Sequence, residues 1–298
     1  MQFGHVNDPL ENVDFSLPAD TKTTIETLKE KRTGGGLSVF VGASKWGEKT
    51  WRGRIYPKQL PDNKFLGIYS QNFNAVEFGP TFYRFYSADE ISQWTAQVET
   101  SPSFKFCPKF PQQITHIRRL ANAGEQTTSF YQSLKGFGDH LGPLLLQLGD
   151  NFSPKSFPNL KAYLEALDPA ISVSVEVRHK DWYADKNYRK DFLQLLSSLN
   201  MGTVIADTSG RRDCVHMDLT TTDAFIRFVG NNLVDSDYKR MDEWVERIKI
   251  WADQGLRSLW FFMHQNDERF VPDACIYFIK QLNAGLGTSV QAPILVMD

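Results

Sequence analysis

Cysteine is scarce in this chain of 298 residues. The three present, Cys107, Cys214 and Cys275, are scattered, with no Cys-x-x-Cys pair. That spacing excludes a disulfide framework and a compact zinc site, and it reads as reduced thiols in a cytosolic protein. A charge of one sign is also missing. The net charge is -2, so a general nucleic-acid binder, which carries a basic excess, is not indicated, although a local basic site stays open. No apolar run approaches the length of a membrane span, so no membrane association is expected. The first residues, MQFGHVNDPLENVDF, lack a basic start followed by an apolar stretch, so no secretory leader is expected and a cytoplasmic location is. Several chemical signatures are absent too. There is no GxxxxGK[ST] phosphate cradle, no strand leading into GxGxxG, and no GxSxG elbow.

Aromatic residues are plentiful: 22 Phe, 10 Tyr and 7 Trp. Several fall in turn-rich segments, namely Trp46, Trp51, Tyr56, Phe82, Tyr83, Tyr86 and Trp182. Ring faces near a cleft suit a ligand with a face of its own, such as a sugar or a base.

From Leu37 a rhythm of short apolar runs begins. They are Ser38–Gly42, Ala75–Phe78, Phe104–Cys107, Leu144–Leu148, Val173–Val177, Thr203–Ala206, Phe225–Val229 and Leu259–Met263. Runs of this kind are strands buried on both faces of a parallel sheet. Helical spacing of apolar residues marks the segments between them: Asn63–Gln71, Ala88–Val98, Ser129–Leu141, Leu160–Leu167, Asn187–Leu199, Tyr238–Gln254 and Pro272–Leu282. Eight strands alternating with helices predict an α/β fold, a TIM-type (β/α)8 barrel over residues 37–298. An open doubly wound sheet is the alternative. Residues 1–36 read as a polar N-terminal extension holding a helix, Thr21–Arg32, closed by Gly34-Gly35-Gly36. Two connections fit the rhythm poorly, Asp207 to Phe225 and Lys109 to Thr128, and long irregular links in a compact domain are often functional.

The segment FNAVEFGPTFYRF, Phe73 to Phe85, delivers Glu77 at the end of an apolar run and then opens into rings and an arginine. SVEVRH ends on Glu176, Arg178 and His179, and VIADT on Asp207. In a barrel these carboxyl ends share one face. Carboxylates mixed with Lys and Arg there are the ingredients of acid–base work on an anionic or strongly polar substrate. Glu77, Glu176 and Asp207 are the candidate catalytic groups. Lys109, Arg178 and Arg227 are expected to hold an anion, with Trp46, Tyr83, Trp182 and His264 completing the substrate site. The bland readings are an internal ion-pair network for Glu176 and Arg178, and a turn cap for Asp207. Glu77, Glu176, Asp207 and His264 follow no tight ligand spacing, so no metal is assigned, and no cofactor. The pair Arg118-Arg119 is either a phosphate contact or a solvated helix start.

These motifs carry a resemblance. GASKWGEKTWRGRIYP, the N-x-V-E-x-x-x-TFYR pattern from Asn74 to Arg84, FCPKFPQQITHIRRL, LGPLLLQL, SVEVRHKDWY, IADT and IRFVG occur in order from about residue 37 to about residue 280. Together they resemble the domain of unknown function 72 family, also called YecE-like. The resemblance implies a TIM-type barrel and brings no reaction, substrate or cofactor. Its recurring polar positions fall on Trp46, Trp51, Glu77, Thr81, Tyr83, Lys109, Glu176, Arg178, Asp207 and Arg227. The chain departs from the pattern at Gly79-Pro80, Val229-Gly230 and His264-Gln265-Asn266. The function expected is an enzyme, a hydrolase or lyase, acting on an anionic or polar ring-bearing small molecule such as a sugar, nucleotide or phosphate ester. The alternative is a non-catalytic protein that binds a metabolite or a nucleic-acid end in the same pocket.

Overall fold

In a computed structural model, which describes Gly4, residues 9–30 and residues 36–296, the eight apolar runs are eight parallel strands. They are β1 (Ser38–Ala43), β2 (Ala75–Phe78), β3 (Lys105–Pro108), β4 (Leu144–Gln147), β5 (Val173–Glu176), β6 (Gly202–Asp207), β7 (Asp223–Gly230) and β8 (Ser258–Gln265). Their order is β3-β2-β1-β8-β7-β6-β5-β4. The two ends of this series meet through the bridges Phe106 to Leu141 and Lys109 to Leu145, and Phe110 N–H donates to the Leu145 carbonyl at 2.9 Å. The sheet therefore curls into a (β/α)8 barrel of the TIM type, not an open doubly wound sheet.

The helical segments are α1 (Lys22–Glu30), α2 (Phe65–Asn72), α3 (Pro80–Tyr83), α4 (Ala88–Thr95), α5 (Gly124–Leu134), α6 (Phe157–Glu165), α7 (Asp181–Ala184), α8 (Lys186–Ser198), α9 (Asp235–Gln254) and α10 (Val271–Leu286). Several starts and stops have a local cause. Ser87 and Glu90 form a reciprocal capping box on α4. Asp185 accepts from the first amides of α8. Gly287, at φ 67°, ends α10. The helix expected over Ser129–Leu141 begins earlier, at Gly124, and gives way at Lys135 to tight 3-10 turns, because Gly138 takes φ 49° and ψ -132°. The predicted helix Thr21–Arg32 is α1. Arg32, Gly34 and Gly35 lie outside the described residues. No described helix is long and apolar enough to cross a membrane.

Strand alternation sorts the side chains into two cores. Inside the barrel lie Ala75, Cys107, Leu145, Val204, Phe225, Trp260 and Phe262, with Phe40 stacked on Trp260 at 3.9 Å. The opposite parity faces the helices and builds the larger core, including Val76, Phe78, Phe106, Val175, Ile205, Ile226, Phe228 and Phe261. This parity decides which strand-end residues reach the mouth. The described part of the N-terminal segment runs along the helix layer. Asp20 accepts from Arg247 and Trp251 of α9, and Thr24 accepts from the Leu219 amide.

Candidate functional site

Continuing the interior parity toward the carboxyl ends of the strands gives Glu77, Lys109, Gln147, Glu176, Arg178, Arg227 and His264. These side chains form one charged layer above the aromatic plug. Arg227 sits at its centre. Its guanidinium grips both oxygens of Glu77, Nε at 2.8 Å and Nη2 at 2.9 Å, and donates through Nη1 to Glu176 at 2.8 Å. Arg178 Nε donates to the other Glu176 oxygen at 2.6 Å. Lys109 Nζ donates to Gln147 Oε1 at 2.7 Å and lies 4.0 Å from the centre of the Phe82 ring. His264 is 1% exposed; its Nε2 stands 3.4 Å from Glu77 but makes no aligned hydrogen bond among the described residues.

The frame around Lys109 explains part of the TFYR motif. Thr81, buried at the start of α3, donates to the carbonyls of Phe78 and Lys109. The Lys109 amide in turn donates to Phe78 at 3.1 Å. This ties the end of β3 to the turn after β2 and lays Phe82 beneath the ammonium. His116 closes the other side: its ring meets Phe82 edge-on at 5.1 Å, and Nδ1 pairs with Thr115 Oγ1 at 2.8 Å. His116 rides on a single π-helical turn, Gln113–Ile117, a local form often found at functional sites. Shortly after it, Arg119, Leu120 and Asn122 all take positive φ.

The electrostatics follow from burial and pairing. Burial alone raises the Glu77 carboxyl, but the Arg227 guanidinium, with His264 beside it, outweighs burial and holds it well below the usual carboxylate range. Glu176 is lowered in the same way, burial being overcome by Arg178 and Arg227. Lys109 moves down as well, for a different reason. Burial and the Arg227 charge pull it to about 8, against the partial support of Glu77 and Glu176. His116 is lowered by burial and by the Lys109 and Arg178 charges. The two acids and two guanidiniums cancel as charges, so the layer keeps the charge of Lys109, which has no carboxylate within ion-pair distance among the described residues. The expectation of three cations standing open for an anion is therefore corrected. Arg178 and Arg227 are committed to the acids, and Lys109 is not.

Four expected members sit elsewhere. Asp207 has the wrong parity: Val204 points inward, so Asp207 points to the helix layer. There its carboxylate, 0% exposed, takes bonds from Arg240 Nη2 at 2.7 Å, Trp244 Nε1 at 2.8 Å and Arg212. Trp182 is core, packed on Phe192 and Phe157, with its Nε1 donating to Phe152 at 2.7 Å. Trp46 packs against Phe78 and Trp94 on the outward side of β2. Tyr83 is 73% exposed and touches Phe82 edge-on; Phe82, its neighbour, is the ring at Lys109. Arg118 donates to the Asn122 carbonyl within its own loop, and Arg119 to that of Asn151 in the connection after β4, so both brace loops.

Two groups escape a reading of the sequence, His116 and Glu268. Glu268 lies in the turn after β8, where burial raises its carboxyl against the pull of His264 and Lys45, and its Oε2 has no hydrogen-bond partner among the described residues. The signal for His116 is the irregular Lys109–Thr128 link. Glu268 has none beyond following a strand end. No three His, Cys, Asp or Glu side chains among the described residues group as a metal site. A groove of about 660 Å³ between α5 and α6, lined in part by Leu120, Thr127, Tyr131, Tyr163 and Asp168, contains none of the mouth charges.

With the barrel and its charged layer in view, the match to known proteins is direct. Residues 40–294 match the family described as "Protein of unknown function DUF72". The chain belongs to the DUF72 family. UPF0759 protein YecE of Escherichia coli K12 is 25% identical to it over 253 residues, covering 79% of this chain and 89% of YecE. UPF0759 protein YunF of Bacillus subtilis is 25% identical over 206 residues, covering 65% of this chain and 71% of YunF. Among solved structures, a DUF72 protein of Thermotoga maritima superposes with a TM-score of 0.62 at 22% identity, over 84% of this chain and 100% of that one. A DUF72 protein of Enterococcus faecalis gives 0.61 at 16%, over 85% and 98%. At these identities the DUF72 structures establish the shared barrel fold.

Proposed function

We propose that this DUF72 protein is an enzyme of the hydrolase or lyase class that takes an anionic, ring-bearing small molecule at the carboxyl end of its barrel. The observation that carries the reading is Lys109, an inward cation without a carboxylate partner among the described residues, in a layer whose other charges cancel. The Phe82 face beneath it and the His116 edge beside it suit a planar or ring-bearing ligand. A lysine at about 8 exchanges protons near neutral pH, as general acid–base work requires. The partner implied is an anionic small molecule; nucleic acid is not indicated by the net charge of -2, and no membrane partner is expected.

Calorimetric titration of inorganic phosphate into the wild type and Lys109→Met tests the ligand class. Binding is expected in the wild type and should weaken by about tenfold or more in the variant, the scale of one charge-assisted hydrogen bond. No binding to the wild type overturns the anionic ligand.

One observation favours the non-catalytic alternative: Glu77 and Glu176 are both consumed by ion pairs. Incubating the protein with sugar phosphates and nucleotides and following them by mass spectrometry separates the two. Ligands that bind and return unchanged identify a binding protein.

A further inference from the structure

Most lysines on a protein surface are protonated spectators, and most inward ones are tied to an acid. Lys109 is neither. It is half-buried, and its ammonium donates to the neutral Gln147 amide and rests on the Phe82 face. The charges around it come from four elements: Glu77 on β2, Glu176 and Arg178 at the end of β5, Arg227 on β7, and His116 on the π-helical turn. The acids, however, are held by the two arginines and not by the lysine. A lysine set beside other cations in a partly desolvated site gives up its proton readily and becomes a nucleophile toward carbonyl carbon.

We propose that Lys109 is a covalent-catalysis residue that forms an imine with an aldehyde or ketone bearing an anionic group. This rests on the anionic-ligand reading and narrows it to a carbonyl compound and to lyase chemistry. In the step, the Nζ lone pair adds to the carbonyl carbon and the C=O π pair moves to oxygen. That oxygen takes the two amine protons and leaves as water, and the nitrogen–carbon double bond remains. Atoms and charge balance with no oxidant or reductant. The requirement for free amine at neutral pH is met, since a group at about 8 is free base in about a tenth of molecules at pH 7. Glu77 and Glu176 then act as anchors. Through Arg227 and Arg178 they keep the surrounding guanidiniums in place without pairing with the amine.

Borohydride trapping tests this on the full chain. The probe is pyridoxal 5′-phosphate, an anionic ring-bearing aldehyde, with peptide mass mapping of the reduced adduct. The expected result is one dominant adduct on the peptide carrying Lys109, half-maximal in rate near pH 8, absent in Lys109→Arg, and slowed by inorganic phosphate. Adducts confined to exposed lysines such as Lys22 and Lys161 would overturn the proposal. So would labelling of Lys109 that rises only in the range of an ordinary lysine. Mapping on the wild type decides the matter even if the arginine variant folds poorly. If phosphate binds by calorimetry and Lys109 is not trapped, the imine fails and the anionic ligand stands. If a neutral aldehyde, glyceraldehyde, is trapped on Lys109 while phosphate does not bind, the imine stands and the anionic ligand fails.

Discussion

Arg227 is the residue on which the charge balance of the barrel mouth depends. It is fully enclosed and holds two carboxylates that are themselves buried. Removing one member of a buried ion pair costs more than the pair contributes, because the survivor is left charged and unsolvated. Arg227→Met is therefore expected to lower unfolding stability by about 3–5 kcal/mol, read from urea melts. Lys109→Met should change the same melts far less, since no acid is stranded. If the two variants melt alike, the ion-pair account of the layer is wrong. At this scale the sequence is partly legible. Glu77, Lys109, Glu176, Arg178, Arg227 and His264 are all expected at one face, and they meet there. The partner each chooses cannot be read in the same way. Charge pairing is a matter of ångströms across strands far apart in sequence, and Arg227 is 150 residues from Glu77.

The elements show where a reading of the sequence fails and why. Strand β6 is located to within a residue at each end, yet Asp207 faces the wrong way for the site. Successive strand side chains alternate between faces, so one residue of uncertainty in parity moves a carboxylate from the barrel mouth to the helix layer. There Asp207 ties β6 to α9 through Arg240 and Trp244, and to the N-terminal segment through Arg212, whose Nη2 also donates to the Phe15 carbonyl at 2.9 Å. Trp182 fails for a related reason. Its short helix turns the indole into the core, a direction that a turn-rich sequence does not reveal. Asp207→Asn is accordingly expected to lower the melting temperature while leaving phosphate affinity and Lys109 trapping unchanged. Loss of binding with unchanged melting would return Asp207 to the site. The α/β rhythm itself is legible because buried parallel strands and amphipathic helices carry different periods. The 3-10 turns after Leu134 are not, since they depend on the backbone angles of Gly138.

Over the whole molecule, the buried acids make stability depend on pH in a defined direction. Glu77, Glu176 and Asp207 all hold their protons less tightly in the folded protein than ordinary carboxyls do. The unfolded chain therefore binds more protons as the pH drops below the ordinary carboxyl values of about 4 to 4.5, and acid favours unfolding. The stabilisation is complete above those unfolded values and is lost as the pH falls toward the lower folded ones. Each group contributes up to about 1.4 kcal/mol per pH unit across that interval. Lys109 acts at the other end. Its folded value of about 8 lies below the 10.5 of an ordinary lysine, so the unfolded chain again binds more protons, and stability gains as pH rises between the two. Equilibrium urea unfolding from about pH 3 to about pH 10 should therefore give its greatest stability near neutral pH, because burial also holds His116 and His216 below the ordinary imidazole value and extends the acid limb upward from the carboxylates. A fall is expected on the acid side; on the alkaline side the Lys109 gain opposes the loss from Cys107, Cys214 and Cys275, whose thiols burial raises, so Lys109→Met should steepen the alkaline fall. Arg227→Met should flatten the acid limb, because without the guanidinium Glu77 and Glu176 regain more ordinary affinities for protons. A wild-type curve level down to about pH 3 would mean that these carboxylates are not held charged in the folded barrel.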